Sequence, residues 1–448
     1  MDLTSLIPHF GGVLWTLVAF VVALSVIVAI HEYGHYIVGK WSGIYAEVFS
    51  LGFGPVLFSR VDRHGTKWQF AALPFGGYVK FRGDGDPSSA STDTEALAGM
   101  TEEQRRSTMA GAPLWARTAT VAAGPIFNFI LSIVIFTGVF MMRGEVADPL
   151  TVGELRTLPV AQELRSDDTV LAIEGRTPPS FEDGVAYDEF LKSLPVAPQL
   201  TYTVDRDGAR IDVAGPYVLP PIATQIVPRS AAGDIGMRPG DVITAIDGQE
   251  IFAFAQLKDS VESSAGAPLD IAVWRDGEIL DMTLTPRRVD EPQPDNSFQT
   301  FYRIGIVGGM AFEPATQSLG FGAALWGGVE QVGAIMQGSI SGLWHMVTGR
   351  ISSCNLSGPI GIAETSGDMA SQGTASFIWF IAVLSTAVGL LNLFPVPVLD
   401  GGHLVFYAYE AVSGRPPSDK ALRVLMSIGL TVILGLMVFA LSNDIFCP

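Results

Sequence analysis

Five consecutive residues, His31-Glu32-Tyr33-Gly34-His35, carry the strongest chemical signal in the chain. On a helix, residues four apart lie on one face, so both imidazoles can reach one metal ion. Glu32, one step round, can hold and deprotonate a water without ligating. With zinc as the ion, water becomes acidic enough to lose its proton near neutral pH, as peptide-bond hydrolysis requires. The chain has six histidines in 448 residues, so coincidence rarely produces this pattern. The motif also ends an unbroken apolar run, where ionisable side chains are costly and mark function. Catalytic zinc takes three protein ligands. A second motif, Asn392-Leu-Phe-Pro-Val-Pro-Val-Leu-Asp400-Gly-Gly-His403, offers Asp400 and His403 as candidates for the third. Carboxylate and imidazole both suit zinc.

These residues need elements to hold them, and the composition says where those elements lie. Hydrophobic residues make up 48% of the chain and charged ones 16%, well below the quarter or so usual in soluble proteins. Four runs, residues 10–30 (continuing into the HExxH motif), 118–142, 375–393 and 424–441, are long enough to cross a bilayer core as helices. No basic region precedes the first run and no small-residue cleavage site follows it, so it reads as a span rather than a signal peptide. Lys40, Arg60, Arg63, Lys67, Lys80, Arg82, Arg105, Arg106 and Arg117 lie between the first two runs, and Arg415, Lys420 and Arg423 between the last two. Both loops are therefore expected in the cytoplasm, with both termini and residues 143–374 outside. A net charge of −18 argues against a nucleic-acid partner. Residues 319–351 are apolar but rich in Gly, Ser and Gln. They read as amphipathic helices on the membrane surface rather than a fifth span, which would move the C-terminus inside.

The exported middle contains a weak duplication. Asp168-Thr-Val-Leu-Ala-Ile-Glu-Gly175 matches Asp241-Val-Ile-Thr-Ala-Ile-Asp-Gly248, and Val204-Asp-Arg-Asp-Gly208 matches Val273-Trp-Arg-Asp-Gly277. Each copy offers a strand closed by an acidic-Gly turn, then a helix, then a hairpin. The second copy resembles a PDZ domain closely and the first only loosely. PDZ folds bind peptides along a sheet edge, although such domains can also serve as spacers. Cys354 and Cys447, the two cysteines, rule out a Cys-rich metal module. They are either unrelated or, lying on the same side, bonded.

HExxH in the first span together with N-x-x-P-x-P-x-L-D-G in a later one resembles the site-2 protease family of intramembrane metalloproteases. Ser50-Leu-Gly-Phe-Gly-Pro55, Leu73-Pro-Phe-Gly-Gly-Tyr-Val-Lys80, Ala122-Ala-Gly-Pro-Ile-Phe-Asn128 and Leu356-Ser-Gly-Pro-Ile-Gly-Ile-Ala363 resemble its bacterial regulator-of-sigma-E branch. The resemblance covers nearly the whole chain, departing in the first PDZ copy and in residues 84–103. It implies that His31, His35 and Asp400 bind Zn2+, that Glu32 is the catalytic base and that Asn392 helps hold the substrate. His403 then becomes a packing residue. The implied substrates are transmembrane proteins of the anti-sigma-factor type, already cut once outside, and remnant signal peptides. The implied location is the bacterial inner membrane, with termini and PDZ domains periplasmic. A zinc protease of another membrane family and a silent PDZ scaffold are the rival readings, opposed by the second motif and by intact Glu32.

Hydrolysis needs an extended substrate, because a helix hides its peptide bonds. Residues 49–81 read as β-hairpins returning to the membrane, and an edge there, at Gly76, Gly77 and Tyr78, is expected to pair with the unwound substrate. Gly124, Pro125 and Asn128 put a kink and an amide into the second span, read as packing against the zinc helix. The expected fold is thus a polytopic α-helical membrane protein, with four transmembrane helices, cytoplasmic β-hairpins and two tandem PDZ-like α+β domains outside. Its expected segments are 1–39, first helix; 40–117, cytoplasmic loop; 118–142, second helix; 143–219 and 220–290, PDZ-like domains; 291–374, linker and surface helices; 375–393, third helix; 394–423, cytoplasmic loop; and 424–448, fourth helix and tail.

Overall fold

The structure is a computed structural model that describes residues 7–84, 100–181, 183–293 and 297–447. Most of the unmatched stretch 84–103 lies outside the described residues. In chain order come helix α1 (Ile7–Trp41), strands β1 (Ala46–Val61) and β2 (Lys67–Phe81), and helix α2 (Leu114–Arg143). Strands β3 (Thr169–Ile173), β4 (Gln199–Arg206) and β5 (Ala209–Pro216) follow, with helix α3 (Gly184–Ser193) between the first two. Strands β6 (Val242–Ile246), β7 (Gln249–Glu250), β8 (Leu269–Arg275) and β9 (Glu278–Leu284) come next, with helix α4 (Phe254–Ser263) after β7. The chain ends in helices α5 (Phe321–Val347), α6 (Pro359–Ser371), α7 (Thr374–Asn392), α8 (Asp400–Ser413) and α9 (Asp419–Phe446). It divides into two units: Met1–Val139 with Ala324–Trp344 and Leu356–Pro448, and Phe140–Ala323 with His345–Asn355. Both cysteines are disulfide-bonded.

The first unit holds the apolar helices. Among the described residues, four are long and apolar enough to cross a membrane: Gly12–Trp41, Leu114–Arg143, Thr374–Asn392 and Lys420–Phe446. At 1.5 Å per residue, the 30 residues of Gly12–Trp41 extend about 45 Å, enough for a core of about 30 Å even when tilted. Helix α5 is one 27-residue helix outside that set of four. Its Gly328 lets it approach the Ile133 carbonyl and Thr137 of α2.

Small residues and hydroxyls join these helices, as expected where lipid removes the hydrophobic drive for helix association. Gly34 of α1 lies so close to α2 that a β-carbon there would stand 2.5 Å from the Ala123 carbonyl oxygen. Ser385 of α7 donates to the Asn128 carbonyl at 3.0 Å, and Ser132 of α2 donates to the Ala382 carbonyl of α7 at 2.8 Å. The Gly358-Pro359 step starts α6, whose first amides are satisfied from another helix. Gly358 and Ile360 N–H donate to the Asp444 carboxylate at 2.8 and 3.0 Å, a side-chain cap supplied by α9.

Between α1 and α2 the chain forms a bent hairpin. Residues 46–51 pair with 77–81 on one side and 67–70 on the other, and residues 56–61 pair with 67–71. The 77–81 segment is thereby left at one edge of the sheet. Leu57, Phe58 and Phe70 are exposed on the hairpin.

The second unit carries the duplication in physical form. Sheet β3-β4-β5 and sheet β7-β6-β8-β9 each have their own apolar core. Asp168 and Asp241 are each only 1% exposed. Asp168 accepts from Arg206 Nε and Nη2, both at 2.7 Å, and from the Arg165 amide at 2.8 Å. Asp241 accepts from Arg275 Nε at 2.7 Å, Arg275 Nη2 at 2.6 Å and the Arg238 amide at 2.8 Å. The turns repeat as well. Asp207-Gly208 and Asp276-Gly277 have positive φ at both residues, the geometry that joins antiparallel strands tightly. A boundary differs from expectation here. The sequence places residues 304–312 in a linker after 290, whereas Ile304 lies in the second core and Ala311 and Phe312 in the first. Strands of two or three residues in this segment are too short to leave a readable alternation.

Candidate metal centre

Two separated helices bring the ligand candidates together, both in the first unit. His31 and His35 sit one turn apart on α1, and Asp400 is the first residue of α8. The chain reaches Asp400 through a tight turn that glycine permits. A side chain at Gly401 would collide with the carbonyls of Leu393 and Phe394, and one at Gly402 with that of Val396. Gly401 and Gly402 are therefore a structural requirement of the α7–α8 turn, directly after the carboxylate of Asp400.

The three donor atoms converge. His31 Nε2 lies 3.2 Å from His35 Nε2 and 3.2 Å from Asp400 Oδ2, and His35 Nε2 lies 3.6 Å from the same oxygen. Ligands about 2.0–2.1 Å from a tetrahedral ion stand about 3.3 Å from one another, so these separations fit one zinc. The protonation pattern fits too. Asp400 Oδ2 is buried and accepts no well-directed hydrogen bond among the described residues. Two Nε2 atoms facing each other cannot both carry protons. A shared cation resolves both conditions.

Each imidazole is braced from α2. His35 Nδ1 lies 2.8 Å from the Thr120 carbonyl oxygen, and His31 Nδ1 lies 3.2 Å from Asn128 Nδ2. Gly124 gives α2 access to the rings, because any side chain there would run into His35. Beyond packing, which the sequence suggested for Gly124, Pro125 and Asn128, α2 thus supplies polar groups to the histidines. Their signal, Gly-Pro-x-x-Asn, was visible, but their target was not.

Glu32 stands beside the three donors, and its carboxylate takes a backbone hydrogen bond from Val79 on the sheet edge. A β-carbon at Gly77 would stand 3.0 Å from Glu32 Cγ, so the edge strand lies directly against the base. A cavity of 240 Å³ opens here, lined by His31, Glu32, His35, Gly77, Asn392 and Asp400, among others. Tyr78 also lines it, with its hydroxyl accepting from Gln69 Nε2 at 3.1 Å. Gly76 is not on the cavity wall and packs against Phe53 instead. Asn392 Nδ2 donates to the Val388 carbonyl of its own helix at 3.1 Å. His403 reaches the cavity but not the three-atom cluster, and its Nδ1 is buried without a partner among the described residues.

Comparison with known proteins agrees with this chemistry. The model of peptidase family M50 matches residues 19–436. The chain is 37% identical over 434 residues to a protein of Agrobacterium fabrum (strain C58) provisionally named a zinc metalloprotease, covering 96% of this chain and 95% of that one. A similarly named protein of Rhizobium meliloti (strain 1021) is 37% identical over 440 residues, covering 96% of each. The regulator of sigma-E protease RseP of Salmonella typhimurium (strain 14028s) is 30% identical over 463 residues, covering 97% of this chain and 99% of that one. The chain belongs to peptidase family M50, the site-2 proteases. It is a zinc metalloprotease and a multi-pass membrane protein.

Proposed function

We propose that the protein cleaves transmembrane segments of other membrane proteins inside the bilayer, in regulated proteolysis. The observation that carries this reading is the convergence of His31, His35 and Asp400 beside Glu32, on a helix long enough to span the membrane. His31, His35 and Asp400 hold zinc and Glu32 is the base. Bound there, zinc supplies a Lewis acid for the scissile carbonyl and acidifies water near neutral pH. Glu32 accepts the water's proton and delivers it to the leaving amine. The Val79 amide fixes the Glu32 carboxylate from one side, so the base is aimed before substrate arrives. Residues 77–81 form one edge of the sheet, and in this reading an unwound substrate adds there as a strand. Gly77, whose missing side chain lets Glu32 approach, and Tyr78 flank that strand, and Gly76 shapes its start against Phe53. Asn392, which also lines the cavity, binds a backbone group of the same substrate. The exposed Leu57, Phe58 and Phe70 suit a hairpin that dips back into lipid.

The substrates in this reading are membrane-held anti-sigma-type proteins already cut once outside, together with leftover signal peptides. The duplicated sheets of the second unit are two PDZ-like domains outside the bacterial inner membrane, on the side of both termini. There they exclude substrates whose ectodomains remain.

The test is Glu32→Gln in the full-length protein reconstituted with a single-span substrate. Zinc stays bound while cleavage stops. A variant that cuts like wild type defeats the proposal.

A further inference from the structure

An imidazole that gives Nε2 to a metal must keep its proton on Nδ1, and that proton needs an acceptor. For His35 the acceptor is the Thr120 carbonyl at 2.8 Å, which can do nothing but accept. For His31 the facing group is the side-chain amide of Asn128, a residue with no solvent exposure. As placed, Nδ2 points at His31 Nδ1 from 3.2 Å, while Asn128 Oδ1 is buried with no hydrogen-bond partner among the described residues. An amide donating to Nδ1 would put the His31 proton on Nε2, the atom aimed at His35 and Asp400. That tautomer cannot ligate through Nε2.

The two ends of an amide have nearly the same shape, and their assignment follows from their partners. Nothing among the described residues holds Oδ1 where it stands, so a half-turn of the amide breaks only the contact it replaces. It then offers an acceptor to His31 Nδ1–H. The backbone that carries this amide is well fixed, since the Asn128 carbonyl accepts from Ser132 and Ser385, both at 3.0 Å.

We propose that Asn128 is a positioning residue whose Oδ1 holds His31 in the Nδ1–H tautomer and so makes Nε2 available to zinc. The proposal rests on the three-residue zinc site described above.

The test measures zinc affinity of the full-length protein in detergent by chelator competition, together with zinc stoichiometry. Asn128→Leu keeps most of the volume and removes the acceptor, and is expected to weaken zinc about 10- to 100-fold, the usual effect of losing such a partner. Asn128→Asp restores an acceptor and is expected to bind zinc at least as tightly as wild type. A purely packing role would make leucine the milder change and give aspartate no rescue. Where the leucine variant does not fold, Asn128→Ser, too short to reach the ring, is expected to show the same loss. Wild-type affinity in a folded non-accepting variant, or equal loss in the aspartate variant, overturns the proposal. Failure of the underlying site has a different signature: wild-type protein without stoichiometric zinc, or zinc undiminished in His31→Ala, removes the site and this proposal with it.

Discussion

Gly124→Ala adds one methyl group and puts it against both histidines. A β-carbon at Gly124 would stand 2.5 Å from His35 Cε1 and 2.8 Å from His31 Cε1. Ordinary contact needs about 3.5 Å, so the rings or the helix must give by about 1 Å. Helix α2 has little room to retreat, because Gly34 already brings α1 against the Ala123 carbonyl and Ser385 ties Asn128 to α7. The rings must therefore move. A misplacement of about 1 Å at a catalytic site costs on the order of 100-fold in rate, or about 2.7 kcal/mol. Stability moves much less, because two effects oppose. Alanine favours a helix interior over glycine by about 0.8–1.0 kcal/mol, whereas overpacking costs about 1–3 kcal/mol. The variant is thus expected to fold, with a thermal midpoint near wild type, yet cleave a reconstituted single-span substrate about 100-fold more slowly. Cleavage rate and thermal midpoint measured on the same preparation separate the two effects. A folded variant whose rate stays within about threefold of wild type, roughly 0.65 kcal/mol, would show that the close approach of α2 does not set the geometry of the centre.

Two further predictions concern parts of the molecule away from the metal. Arg117 of α2 donates to both oxygens of Glu410 on α8, at 3.1 and 2.6 Å, with the two side chains 14% and 17% exposed. Removing one partner of a mostly buried pair leaves an uncompensated charge costing on the order of 3 kcal/mol. Arg117→Met and Glu410→Gln should each lower the thermal midpoint, with the double variant falling by less than the sum; strict additivity would show that the pair is not coupled. In the second unit, burial alone would raise the pKa of Asp168, but hydrogen bonds from Arg206 and the Arg165 amide outweigh it and hold the carboxyl below its ordinary value. A depressed folded pKa means that this stabilisation is fully present above the unfolded value of about 3.9 and is lost as pH falls through the folded one. Asp168→Asn should therefore lower stability at neutral pH and make acid unfolding of the strand-rich unit shallower below about pH 4. An unchanged acid limb would refute the linkage.

What could be read from the sequence divides by the distance over which each interaction acts. The HExxH pair is local, since four residues along a helix already place two imidazoles together, and the four apolar helices follow from unbroken runs. The acidic-Gly turns of the duplication are local too, whereas the Asp168–Arg206 and Asp241–Arg275 pairs that join its matched segments appear only in the structure. Asp400 is different: chemistry alone leaves it only slightly ahead of His403, and the resemblance puts it well ahead. In the structure the glycines after Asp400 permit a tight turn, and the Asp400 carboxylate lies with the two histidines while His403 does not join that cluster. The bracing from Thr120 and Asn128 was illegible, because it depends on the rotation of α2 about its axis and on a main-chain carbonyl that no side-chain pattern records. The short strands at 304–312 were hidden for the opposite reason, being too brief to alternate. The candidate ligands of a metal centre shared by two helices are thus announced in the sequence, whereas the groups of a third helix that face their rings appear only in three dimensions.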